Sequence, residues 1–162
     1  MSQYLNVLNE SEQKLLVDAP VLITLLVGGA DDNLDKKERE WSSKLTNYRT
    51  LDDTSILQEY YEQVNVDFDK KLNEFVEIYP DKAAQRNPMI AEQLSSLNDI
   101  IVKLDAEFAY EVYKSLKSYA EQIAKSSGGI LGFFNQNAEE KRWTELPMLN
   151  EVAPPPAPEE EA

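Results

Sequence analysis

Residues 21–41 read VLITLLVGGADDNLDKKEREW. The first seven are apolar but for Thr24, so a helix built on them is apolar nearly all round and belongs at the centre of a fold. Gly28-Gly29 then break the run, and a glycine pair is expected to supply positive φ at a helix C-terminus. The chain restarts at Asp35-Lys36-Lys37-Glu38, which has the form of a capping box with Asp in place of Ser or Thr. Trp41, Leu45 and Tyr48 then mark one face of a new helix. The stretch is therefore read as helix, carboxylate-rich joint, helix.

The same grammar extends in both directions. SEQKLLVD, 11–18, is a short amphipathic helical piece, and Asp18 is expected to cap the central helix with Pro20 in its first turn. A long helix is predicted over 54–79. There Leu57, Tyr60, Tyr61, Val64, Phe68, Leu72, Phe75, Val76 and Tyr79 recur at three- and four-residue steps, and Pro80 stops it. Asn87-Pro88 reads as the start of another helix, with Ile90, Leu94, Leu97, Ile101 and Leu104 on its face. The stripe continues through Phe108, Val112, Leu116, Tyr119 and Ile123, as one long helix or two joined near Asp105. SSGGILGFF, 126–134, interrupts it; its apolar residues either dock between helices or form an exposed patch for a partner or membrane. Asn137 caps a last helix carrying Trp143 and Leu146, which Pro147 kinks or ends.

No strand pattern is present, and the fold class is all-α: a single compact bundle of about seven helices over 1–152. The Pro/Glu-rich tail 153–162 is expected to be disordered. Leu25, Leu26, Trp41, Leu45, Leu72, Leu97, Leu104, Leu116 and Trp143 are the expected core. A faint repeat links DKKEREW at 35–41 with NAEEKRW at 137–143; both follow a double glycine, Gly28-Gly29 and Gly128-Gly129. Two pseudo-symmetric halves would explain it, as would ordinary capping grammar.

Composition narrows the chemistry. The 162 residues carry a formal charge of −14. That charge disfavours nucleic acid and anionic membrane surfaces and favours cations and basic protein partners. There is neither cysteine nor histidine. Thiolate nucleophiles, Ser-His-Asp machinery and the usual zinc ligands are thereby excluded, leaving oxygen ligands suited to Ca²⁺, Mg²⁺ or Mn²⁺. No transmembrane segment or signal peptide is evident, and a cytoplasmic protein is expected.

The acidic joint has two readings. Asp35 and Glu38 satisfy free amides at a helix start and suit its dipole, while Lys36, Lys37 and Arg39 offset their charge. Asp31 and Asp32, however, follow a helix C-terminus, where negative charge is disfavoured. If the two helices pack antiparallel, Asp31 folds back toward Asp35 and Glu38, and a hard cation would relieve their repulsion. Asp31, Asn33 and Asp35 fit positions 1, 3 and 5 of a calcium-binding EF loop. Lys36 stands where that loop needs glycine and Ser42 where it needs glutamate, so any site would be improvised.

LLVGGADDNLDKKEREW resembles the first motif of the TerB-like, tellurite-resistance-associated family: an apolar helix, then Ala-Asp-Gly-x-x-Asp-x-x-Glu. Ala30, Asp31, Asp35 and Glu38 match it, and Asp32 replaces the glycine. YAEQIAKSSGGILGFFNQNAEEKRW, 119–143, resembles the second motif. The resemblance implies an all-helical TerB-like domain acting as a non-enzymatic accessory or scaffold protein in stress or tellurite response, with a bound cation; the spacing of the joint makes Asp31, Asp35 and Glu38 its candidate metal ligands. Two alternatives remain: a divalent-metal-dependent hydrolase of small phosphorylated substrates, and a structural partner-binding helical module.

Overall fold

The computed structural model describes residues 3–29, 36–52, 54–126 and 138–157, and among these every regular element is helical. In chain order the helices are α1 (Glu10–Ile23), α2 (Lys36–Tyr48), α3 (Gln58–Val66), α4 (Phe68–Ile78), α5 (Ala83–Ser95), α6 (Leu97–Ile101), α7 (Ala106–Ser126) and α8 (Ala138–Thr144). A π turn, Thr24–Gly28, continues α1 without a break. The all-α expectation holds.

α1 and its π turn are the hub. Every residue from Leu16 to Gly28 is buried, as an all-round apolar helix requires. Helices α3 to α7 pack on α1, and α2 and α8 close over the π turn. Asn9 opens α1 with a full capping box: its side chain takes the Glu12 N–H, and the Glu12 carboxylate takes the Asn9 N–H.

The sequence reading divided this helix at Asp18, and the structure corrects that. Asp18 and Pro20 both lie inside α1. Pro20 cannot donate to the Leu16 carbonyl one turn back, a loss that normally kinks a helix. Here the buried Tyr60 hydroxyl donates to that carbonyl at 2.7 Å and replaces the missing bond. Asp18 is 3% exposed and caps nothing. It lies between the ammonium groups of Lys14, 2.7 Å away, and Lys71, 2.6 Å away, which compensate a carboxylate that burial would otherwise penalise.

Three further boundaries differ. The long helix over 54–79 is two helices broken at Asp67, whose φ of −129° is not helical. Just before the break the Asn65 side-chain amide donates to the Tyr61 carbonyl and to Thr46 of α2, so a side chain competes for the α3 backbone and ties it sideways. Asn87-Pro88 opens no helix; α5 starts at Ala83. Asn87 is buried, accepting from Arg86 Nε at 3.4 Å, whereas Pro88 and Ala84 are exposed, on a side of the helix where solvent can serve a carbonyl that proline leaves without its helical donor. The long-or-split alternative resolves as split: α5, α6 and α7 are separate, and Asp105 caps α7 through the Phe108 N–H.

The core contains eight of the nine residues expected there. Trp41 is the exception, at 39% exposure. α2 turns Ser42, Leu45 and Thr46 inward instead, one position round from the expected face. At the other end, Asn98 of α6 clasps the C-terminal segment, donating to the Met148 carbonyl and accepting the Asn150 N–H. Of the proposed repeat, Asp35 in the first copy and Gly128-Gly129 and Asn137 in the second lie outside the described residues.

Candidate functional site

α2 runs from the acidic joint to a polar cleft. At its start, Asp31 and Asp35 lie outside the described residues; Glu38 is in the first turns of α2, its side chain likewise outside the description. What frames the joint is described. Gly29 ends the π turn with φ −94°, so the expected positive φ is not the reason for glycine. Close approach is: a Cβ there would meet the Leu25 carbonyl at 2.6 Å and Arg86 Nη2 at 2.7 Å. Arg86, only 5% exposed, reaches from α5 to donate to the Gly29 carbonyl and, at 3.1 Å, to the Asp81 carbonyl. A guanidinium thus sits at the helix C-terminus, where cations are favoured, immediately before four carboxylates in eight residues, Asp31 to Glu38.

Beyond the joint, α2 and α4 enclose a groove of about 420 Å³ to which Lys36, Arg39 and Lys44 contribute cations and Glu40 and Asp69 carboxylates. Arg39 donates across it to Asn73 at 2.9 Å. Among the described residues, no three carboxylates stand close enough together to hold a metal ion.

At the far end of α2, Arg49 closes a cleft of about 330 Å³ between α2, α3 and α7. Its Nη1 donates to the Tyr61 hydroxyl at 2.7 Å and to the Ser115 carbonyl at 2.9 Å. Its Nη2 reaches Gln122 Oε1 at 2.7 Å and Ser118 Oγ at 3.5 Å. The guanidinium lies over the rings of Tyr61 and Tyr119, 5.2 and 5.4 Å from their centroids. All these partners are uncharged, and among the described residues no carboxylate pairs with Arg49. The Tyr61 and Ser115 hydroxyls touch each other directly.

Behind Arg49, the Tyr119 hydroxyl meets Thr24 Oγ1 at 2.6 Å, linking α7 to the π turn. Burial pushes the Tyr119 phenol well above its ordinary range, with the Thr24 bond opposing it. At the rim, Asp52 accepts from the Thr54 hydroxyl at 2.6 Å and the Thr54 N–H at 3.0 Å. Those bonds hold its carboxyl below the usual range.

Sequence reasoning missed Arg49. Its signal was nonetheless present: Ser42, Thr46 and Arg49 repeat at helical steps and form a polar inner stripe on α2. Comparison with known proteins adds no relative: no family model, no curated protein and no solved structure matches the chain.

Proposed function

We propose that the chain is a non-enzymatic TerB-like accessory or scaffold protein of a stress or tellurite response, cation-modulated through the joint between the π turn and α2. The carrying observation is the framing of that joint. Arg86 pins Gly29 on one side and α2 begins at Lys36 on the other, so a link of only six residues separates two fixed ends. Within it and the next turn fall Asp31, Asp32, Asp35 and Glu38. Carboxylates brought together by so short a link would repel one another, and Ca²⁺, Mg²⁺ or Mn²⁺ would offset that repulsion with the oxygen ligands such ions prefer.

The test is thermal unfolding with each ion in turn. Stabilisation by mass action is expected, ~2.7 kcal/mol at a hundredfold excess over the dissociation constant. Asp31→Asn should abolish the gain while changing little without metal. An unchanged unfolding temperature at millimolar ion would retire the reading.

Partner binding is a second reading, favoured by apolar exposure along one side of α2: Trp41 at 39%, Tyr48 at 61% and, just beyond, Leu51 at 70%. If a second copy is the partner, sedimentation should show concentration-dependent dimers that Trp41→Ser and Tyr48→Ser remove.

A further inference from the structure

We propose that the cleft at the C-terminal end of α2 binds a small zwitterion, an amino-acid-like molecule whose carboxylate sits on Arg49 and whose ammonium sits on Asp52. The inference is independent of the acidic joint at the other end of the helix.

Among the described residues, four charged side chains line the cleft. Two cancel: Lys114 Nζ lies 3.0 Å from Glu111 Oε1 on α7. The other two do not meet. Arg49 and Asp52 are three residues apart and form no ion pair with each other or, among the described residues, with any other group. Each instead has neutral partners, the tyrosines, serines and Gln122 for Arg49, and Thr54 for Asp52. The described lining is therefore balanced in charge but has separated positive and negative poles.

A half-buried cation without a counter-charge is costly to keep out of water, and its attraction for an anion is strengthened by its low-dielectric surroundings. Arg49 retains donor capacity for such a group. Its Nε–H has no acceptor among the described residues, and its bond to Ser118 is long at 3.5 Å. The hydroxyl of Ser118 stands beside the guanidinium as an additional donor to a carboxylate. Asp52 uses Oδ1 for both Thr54 bonds, leaving Oδ2 for an ammonium. A simple anion would meet the repulsion of Asp52, and a simple cation that of Arg49; a zwitterion satisfies both. The volume, about 330 Å³, falls at the small end of the ~300–1,000 Å³ typical of ligand pockets, and Leu57 and Tyr61 supply an apolar wall.

The experiment follows backbone amide shifts of Thr54, Ser115 and Ser118 in the labelled full chain. It titrates a pool of L-amino acids with neutral side chains, the same pool N-acetylated, and the same pool as carboxamides. The free amino acids are expected to shift all three amides, and removal of either charge should weaken binding about tenfold or more, as loss of a charge-assisted hydrogen bond does. Asp52→Asn keeps an oxygen for Thr54 and so the local turn; it should weaken the free pool and strengthen the acetylated pool, whose anion no longer meets the Asp52 charge. Arg49→Met should abolish both, and Arg49→Lys should restore part. Absence of any shift with millimolar free amino acids overturns the proposal. So does equal binding of the acetylated pool, which would mean a plain anion site, or of the carboxamides, which would mean a plain cation site. An unaltered response in Asp52→Asn overturns it as well.

Discussion

Pro20 and Tyr60 are forty residues apart and make sense only together. Proline leaves the Leu16 carbonyl without its helical donor, and the Tyr60 hydroxyl supplies one inside a core where water cannot. Tyr60→Phe should therefore cost about 1–3 kcal/mol, the penalty for a buried acceptor left unpaired. In a Pro20→Ala background the backbone N–H returns, and the same Tyr60→Phe change should cost clearly less. A urea double-mutant cycle reads the coupling, and strict additivity would refute the substitution of one donor for the other. Gly29 is a second case in which a neighbour fixes the residue. Its φ of −94° is open to any side chain, but Arg86 and the Leu25 carbonyl occupy the space of a Cβ. Gly29→Ala is expected to destabilise by about 1–3 kcal/mol through displacement of the guanidinium. Truncating the guanidinium as well, in Gly29→Ala with Arg86→Met, should cost less than the sum of the two changes.

At the scale of elements, hydrophobic periodicity revealed that helices form and left open where they join. The stripe from Leu57 to Tyr79 steps evenly across Asp67, with no Gly or Pro to mark the break between α3 and α4. That break is made by tertiary contacts, above all Asn65 bridging to Thr46, which no local pattern encodes. Prolines misled in the opposite direction: both Pro20 and Pro88 read as helix starts, and both sit within helices because the orphaned carbonyl has a buried hydroxyl in one case and solvent in the other. On α2 the apolar stripe places Trp41 inward, whereas the buried face carries Ser42 and Thr46 beside Leu45, two polar positions that an apolar-stripe argument passes over. The two orientations make opposite forecasts. Leu45→Ala should cost about 2–5 kcal/mol, as large-to-small core changes do. Trp41→Ala, though it removes the larger side chain, should cost less. The reverse order in chemical unfolding would restore the original face.

For the whole molecule, the two candidate sites differ in how visible they were. The acidic joint is contiguous, so its carboxylates could be read in one line of sequence, whereas Arg49 meets Tyr61 and Ser115 only when α2, α3 and α7 assemble. Charge composition is global too, and it sets the response to pH. With no histidine, no side chain has its ordinary titration near neutrality, and stability should be nearly flat there. The alkaline side is different. Burial raises the phenols of Tyr60 and Tyr119 above their ordinary value of 10.0. Below that value both folded and unfolded chains keep these protons, and the stabilisation is complete. Above it the unfolded chain loses its phenolic protons first, so the folded state binds more protons and stability falls as pH rises toward the raised native values. Urea midpoints measured from pH 7 upward should therefore stay level and then decline beyond about pH 10. Tyr119→Phe, which removes the hydroxyl bonded to Thr24, should start from a lower midpoint but decline less steeply. The lysines and the growing negative charge contribute a slope common to both proteins, so the difference between the two curves isolates the buried phenol. Parallel curves would mean that Tyr119 ionises as readily in the folded chain as in the unfolded one.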